Sequence, residues 1–131
     1  VAPVAGLMLN WLYKSDTSTH PVSLIEIHGT EDRTSEWLGD PENKGGWGEY
    51  LPVPLAVHFC AAKNRCTVMQ TDTITGKAPN NRKIIKHRFS GGTNGSEVWL
   101  YEIVGGGHTW GRDDMDTNEE IWKFFSRFIK P

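Results

Sequence analysis

The chain has 131 residues, enough for one domain with its own core but short for an α/β enzyme. A net charge of −2, from 16 acidic residues against 14 Lys and Arg, gives no electrostatic footing for nucleic acid or an anionic membrane surface. No apolar run approaches the length of a membrane span, and the first residues lack the basic-then-apolar order of a secretory leader.

In chain order, Val1-Ala2-Pro3-Val4-Ala5-Gly6 is a short apolar strand candidate that reads as the inside of a longer protein. Residues 7–20 mix apolar positions (Leu7, Met8, Leu9, Trp11, Leu12) with a polar tail from Lys14 to Thr19, expected to be a loop. After Pro21, Val22 to His28 reads as a strand, ended by Gly29-Thr30-Glu31-Asp32. Residues 33–50 are loop-like, with five glycines and prolines scattered among Trp37, Trp47 and Tyr50. A loop this long inside a compact domain is often functional. Pro52 and Pro54 suit a helix start. Beyond them Leu55, Phe59 and Ala62 fall at helical spacing, predicting a helix from Leu55 to Lys63. A polar connection through Thr71-Asp72-Thr73 then leads to the turn-rich Gly76 to Asn81. Lys83 to Phe89 alternates as a strand does, and Ser90 to Gly95 turns it into its expected antiparallel partner.

That partner is the stretch on which the rest depends. Val98, Leu100, Glu102 and Val104 lie on one face, and Trp99, Tyr101 and Ile103 on the other. Few are polar, as in a strand covered on both sides. Gly105-Gly106-Gly107 follows, where the absence of side chains lets backbone turn sharply and approach closely. His108 is thereby held at the lip of the sheet, the usual ligand position in open α/β sheets, and its ordinary pKa suits a general base. An acidic loop from Gly111 to Asp116 precedes the last helix. Asp116 or Thr117 can cap it, and Ile121, Trp122, Phe124, Phe125, Phe128 and Ile129 form a broad apolar stripe.

Two strand ends therefore carry reactive groups, Asp32 and His108. A carboxylate on a histidine fixes its tautomer and stabilises the imidazolium, the acid–base half of a hydrolytic triad. The order acid then histidine is that of α/β-hydrolases. Other candidates read more blandly. His20, His58 and His87 show no ligand spacing and read as surface or helix-face residues. A shared metal at His28 and His108 is disfavoured because each has only a carboxylate neighbour in sequence, so no metal and no cofactor is expected. Asp113, Asp114 and Asp116 lack the glycine and terminal glutamate of a calcium loop and read as a solvated cluster. Cys60 and Cys66 have no matching His/Cys pair nearby, against a structural zinc.

His28-Gly29-Thr30-Glu31-Asp32, Gly105-Gly106-Gly107-His108-Thr109-Trp110 and Glu119-Glu120-Ile121-Trp122-Lys123-Phe124-Phe125 resemble the polyhydroxybutyrate depolymerase-like esterases. That α/β-hydrolase family includes feruloyl and acetylxylan esterases. Val1 to Gly6 also resembles the strand that follows the nucleophile helix there. The likeness runs in register over nearly the whole chain. It implies an α/β fold: the C-terminal half of an α/β-hydrolase, with a mostly parallel sheet flanked by helices. Residues 1–131 would then be a single partial domain lacking the nucleophile-bearing half. Asp32 would be the triad acid and His108 the base. Trp110 would sit on the rim of the pocket, with Trp37 and Trp47 near the substrate side.

The chain departs from the family in three ways. No G-x-S-x-G elbow and no oxyanion-hole loop occurs. Gly111-Arg112-Asp113-Asp114 stands where relatives often carry Pro-Gly-Gly. A cysteine often found near Gly92 in relatives, as a partner for one at Cys66, is absent, leaving Cys66 free or paired with Cys60; the free state is expected.

The resemblance thus implies part of a secreted (extracellular or periplasmic) serine carboxylic-ester hydrolase. Its substrate would be a polyester or a feruloylated or acetylated polysaccharide, and the chain alone is expected to be inactive. The alternative is a non-catalytic hydrolase-like binding or scaffold domain. Removing half of such a fold exposes apolar surface and strand edges. The expected partners beyond substrate are therefore the missing half or a second copy of the chain, with no nucleic acid and no membrane.

Overall fold

The computed structural model describes residues 1–129. It contains α1 (Asn10–Ser15), β1 (Leu24–Gly29), α2 (Val53–Lys63), β2 (Val68–Thr75), β3 (Lys83–Ser90), β4 (Val98–Ile103) and α3 (Thr117–Ser126). The strands form one sheet in the order β1-β4-β3-β2. Only β1 and β4 pair in parallel; β3 is antiparallel to β4 and to β2.

The expected mostly parallel sheet is therefore corrected to a mixed one of four strands with three helices. The cause lies in the connections. Residues 76–82 join β2 to β3 and residues 91–97 join β3 to β4, and links this short can only close antiparallel pairs. The long segment holding α2 and the β2–β3 hairpin supplies the single parallel crossover. The strand expected over Val1 to Val4 shrinks to one parallel bridge, Val4 with Ile27. Residues 1–5 nonetheless lie along the free edge of β1. Ile25 N–H donates to Val1 O (3.0 Å), and Ala5 N–H to Ile27 O (2.9 Å).

The alternation of β4 distributes the core between two faces. Trp99, Tyr101 and Ile103 join Ile25, Ile27, Ile84 and Phe124 beneath α3. Val98 and Leu100 join Val53, Val57 and Ala61 of α2. The buried face of α2 thus differs from the expected Leu55–Phe59–Ala62 face, and Leu55 is exposed. The helix is apolar nearly all round, so periodicity does not select a side. On α3 and just beyond it, Phe124 is buried and Ile121 and Phe128 are partly so, whereas Trp122, Phe125 and Ile129 are exposed. The stripe is wider than the sheet surface available to it. Asp116 caps α3 by accepting the Glu119 N–H at 3.0 Å.

Two elements arise where loop was expected. Lys14 and Ser15 end α1, a helix with no buried residue. Thr71-Asp72-Thr73 lies in β2, whose eight residues are all exposed. Among the described residues, no helix is long and apolar enough to cross a membrane.

Candidate active site

The parallel pair carries the site at its carboxyl ends. β1 ends at Gly29 and β4 at Ile103, and these two residues are register partners. Thr30 N–H donates to Ile103 O (3.0 Å), and Gly105 N–H donates to the Thr30 hydroxyl (2.9 Å). Gly106 O accepts the Glu31 N–H at 2.8 Å. The chains approach so closely that a Cβ on Gly29 would lie 2.2 Å from Gly106 O. Gly105 turns with φ +78°, a conformation glycine adopts without strain. The two glycine motifs thus bolt one strand tip to the other.

This lock brings Asp32 and His108 together. Asp32 Oδ2 lies 2.9 Å from His108 Nδ1. Its other oxygen accepts the N–H groups of Thr34 (2.8 Å) and Ser35 (3.0 Å). The Asp32 side chain is fully buried, and the His108 side chain is about half exposed. Burial would raise the Asp32 pKa. The Thr34 N–H, the His108 ring and the Ser35 N–H outweigh it, holding the carboxyl below its ordinary value. An ionised Asp32 accepts only, so His108 Nδ1 donates, and Nε2 is left as the basic nitrogen. His108 Nε2 has no hydrogen-bond partner among the described residues.

Three further groups surround the pair, Ser35, His28 and Glu26, of which only His28 is named in the sequence reading, and there without a role beside Asp32. The Ser35 hydroxyl lies 2.7 Å from Ala5 O, 3.2 Å from Asp32 Oδ2 and 3.3 Å from His108 Nδ1. His28 is buried, with Nε2 2.8 Å from Ser35 O and 3.4 Å from Asp32 Oδ2. Its Nδ1 lies 3.0 Å from Glu26 Oε1, which also accepts the Gly6 N–H. Burial opposes charge on His28, but Glu26, the Ser35 carbonyl and Asp32 together raise its pKa. The one sequence signal for this layer is the two-residue spacing of Glu26 and His28, which puts both on one face of a strand.

The tryptophans do not form one wall. Trp37 is half-buried in the α2 core, its ring edge-on to His28 at 6.0 Å. Trp47 is 63% exposed in the 41–50 loop. Trp110, 44% exposed, donates to Asn118 Oδ1 (3.0 Å) and borders a shallow groove with Ala2, Ile121, Trp122 and Phe125.

The acidic loop is not wholly solvated. Asp114 is buried and paired with Arg82 at 3.1 Å, and Asp116 is the helix cap. His87 also has a partner, Glu102 at 3.1 Å. Cys60 and Cys66 are both free. Among the described residues, no group of three or more His, Cys, Asp or Glu side chains is arranged to hold a metal ion.

Compared with known protein families and with curated proteins, the chain finds no match in either. The chemistry of the strand tips therefore carries the functional reading.

Proposed function

We propose that this chain supplies the acid and the histidine of a serine carboxylic-ester hydrolase of the polyhydroxybutyrate depolymerase-like kind, the serine being borne by a segment outside these 131 residues. One observation carries the reading: the buried, fully hydrogen-bonded Asp32 carboxylate sits 2.9 Å from His108, whose Nε2 has no partner among the described residues. In this reading His108 Nε2 takes the proton of the attacking serine and returns it to the leaving alcohol. Asp32 keeps the tautomer and stabilises the imidazolium. Water then cleaves the acyl-enzyme by the same proton route. The substrate class is a polyester or an esterified polysaccharide, met in an extracellular or periplasmic setting.

Assay of p-nitrophenyl butyrate hydrolysis tests this, using the chain alone and joined to the polypeptide encoded directly before Val1. The chain alone should show no turnover above buffer. The joined protein should hydrolyse the ester, and His108→Ala and Asp32→Asn should each reduce turnover by about 10⁴-fold. Full turnover in His108→Ala, or a preceding segment with no G-x-S-x-G serine, overturns the proposal.

A further inference from the structure

Beneath the Asp32–His108 pair lies a second carboxylate–histidine pair that the hydrolytic scheme leaves unused. Glu26 and His28 project from the same face of β1 and are both buried. The Ser35 carbonyl can only accept, so the His28 Nε2, 2.8 Å away, must carry a proton. On the other side Glu26 Oε1 accepts the Gly6 N–H at 3.1 Å and faces the His28 ring with its remaining lone pair. An ionised Glu26 requires a proton on His28 Nδ1 as well, at 3.0 Å. Both ring nitrogens then donate, and the ring is an imidazolium.

The consequence reaches the site by two routes. His28 holds the Ser35 carbonyl, and the N–H of that same residue is one of the two backbone donors to Asp32. His28 Nε2 also stands 3.4 Å from Asp32 Oδ2, the oxygen that faces His108. We propose that Glu26 is a positioning residue for Asp32 and His108, acting through a protonated His28 that braces the 32–35 turn and places a positive charge behind Asp32. Calling those two residues catalytic rests on the ester-hydrolase reading; the brace itself does not.

The other groups facing this pair leave the assignment intact. From β4, Glu102 is the register partner of His28, but its carboxylate is taken by His87 at 3.1 Å. From α2, Cys60 lines the same cavity as Glu26, and burial pushes its thiol pKa up, with Asp16 and Glu26 adding to the shift against Lys63. The amino-terminal segment presents only the Gly6 N–H. From the turn comes Asp32. No other cation competes for Glu26 among the described residues.

Nitrogen-15 NMR of the histidine rings in the 131-residue chain tests this without any hydrolysis. In the unmodified chain at pH 7 His28 should show two protonated ring nitrogens. In Glu26→Gln, His28 should become neutral at pH 7 with its proton on Nε2. The His108 Nδ1 proton resonance should then move downfield, because the Asp32 oxygen that accepts it has lost the cation behind it. A His28 that is neutral at pH 7 in the unmodified chain overturns the proposal, and needs no variant to be seen. So does an unmoved His108 Nδ1 proton resonance in folded Glu26→Gln. Failure of the esterase assay with this NMR pattern intact would count against the hydrolase reading and not against the brace.

Discussion

The two ends of the sheet differ sharply in what they bury. β1 and β4, paired in parallel, are covered on both faces along nearly their whole length. β2, at the opposite edge, is exposed at all eight positions and is held by β3 alone. Every group of the candidate site hangs from the buried pair or from the turns that follow it. An acid–base pair needs its partners fixed to within fractions of an ångström, and only the doubly covered strands offer such a support. The largest effect should therefore come from the packing beneath β4. Phe124 is fully buried against Trp99 and Phe128, with ring centroids 5.1 Å from each. Phe124→Ala should cost ~3–5 kcal/mol in urea unfolding. A loss near 1 kcal/mol would mean that the covering of β4 matters less than its burial implies.

That same difference decides how much the sequence discloses. β4 announces itself because both faces are apolar and three glycines end it. The meeting of Asp32 with His108 follows because each stands just beyond such a strand. β2 leaves no trace, since Val68 to Thr75 buries nothing and so carries no hydrophobic period. Without β2 the β2–β3 hairpin stays hidden, and the mostly parallel sheet, which the family resemblance implied, meets only the antiparallel β3–β4 pair as a contrary sign. Ser35 is equally silent, being one loop serine among several until the fold places it against Asp32, His108 and Ala5. The burial of Asp114 depends on Arg82, 32 residues away, and no local pattern encodes that.

An intermediate effect is expected at the strand tips, and pH separates its parts. The Asp32 pKa is lowered on folding, so its contribution to stability is full above the ordinary carboxylate value and fades as pH falls through the folded value. The His28 pKa is raised, so its contribution is full below about 6.5 and fades as pH rises through the folded value. The stability profile should thus be highest between about pH 4.5 and 6.5 where these two groups dominate. Asp32→Asn should cost ~1.5–3 kcal/mol at pH 6 and flatten the acid limb. His28→Gln should flatten the alkaline limb. Urea midpoints measured from pH 3 to 9 decide this, and an unchanged acid limb in Asp32→Asn would place the acid-sensitive carboxylate elsewhere.

The smallest effect belongs to the exposed edge. Thr73 lies opposite Ile85 in the β2–β3 register and points no side chain into either core. Thr73→Ala should change stability by less than ~0.5 kcal/mol. The β2 amides on its outer edge should exchange with deuterium well before those of β4, because solvent reaches them without unfolding of the sheet. A loss above ~1.5 kcal/mol, or slow exchange along that outer edge, would mean that another chain covers β2 in solution. The contrast between a rigid pair that holds the site and a bare edge strand would then fail at the edge, while the strand tips would keep their geometry.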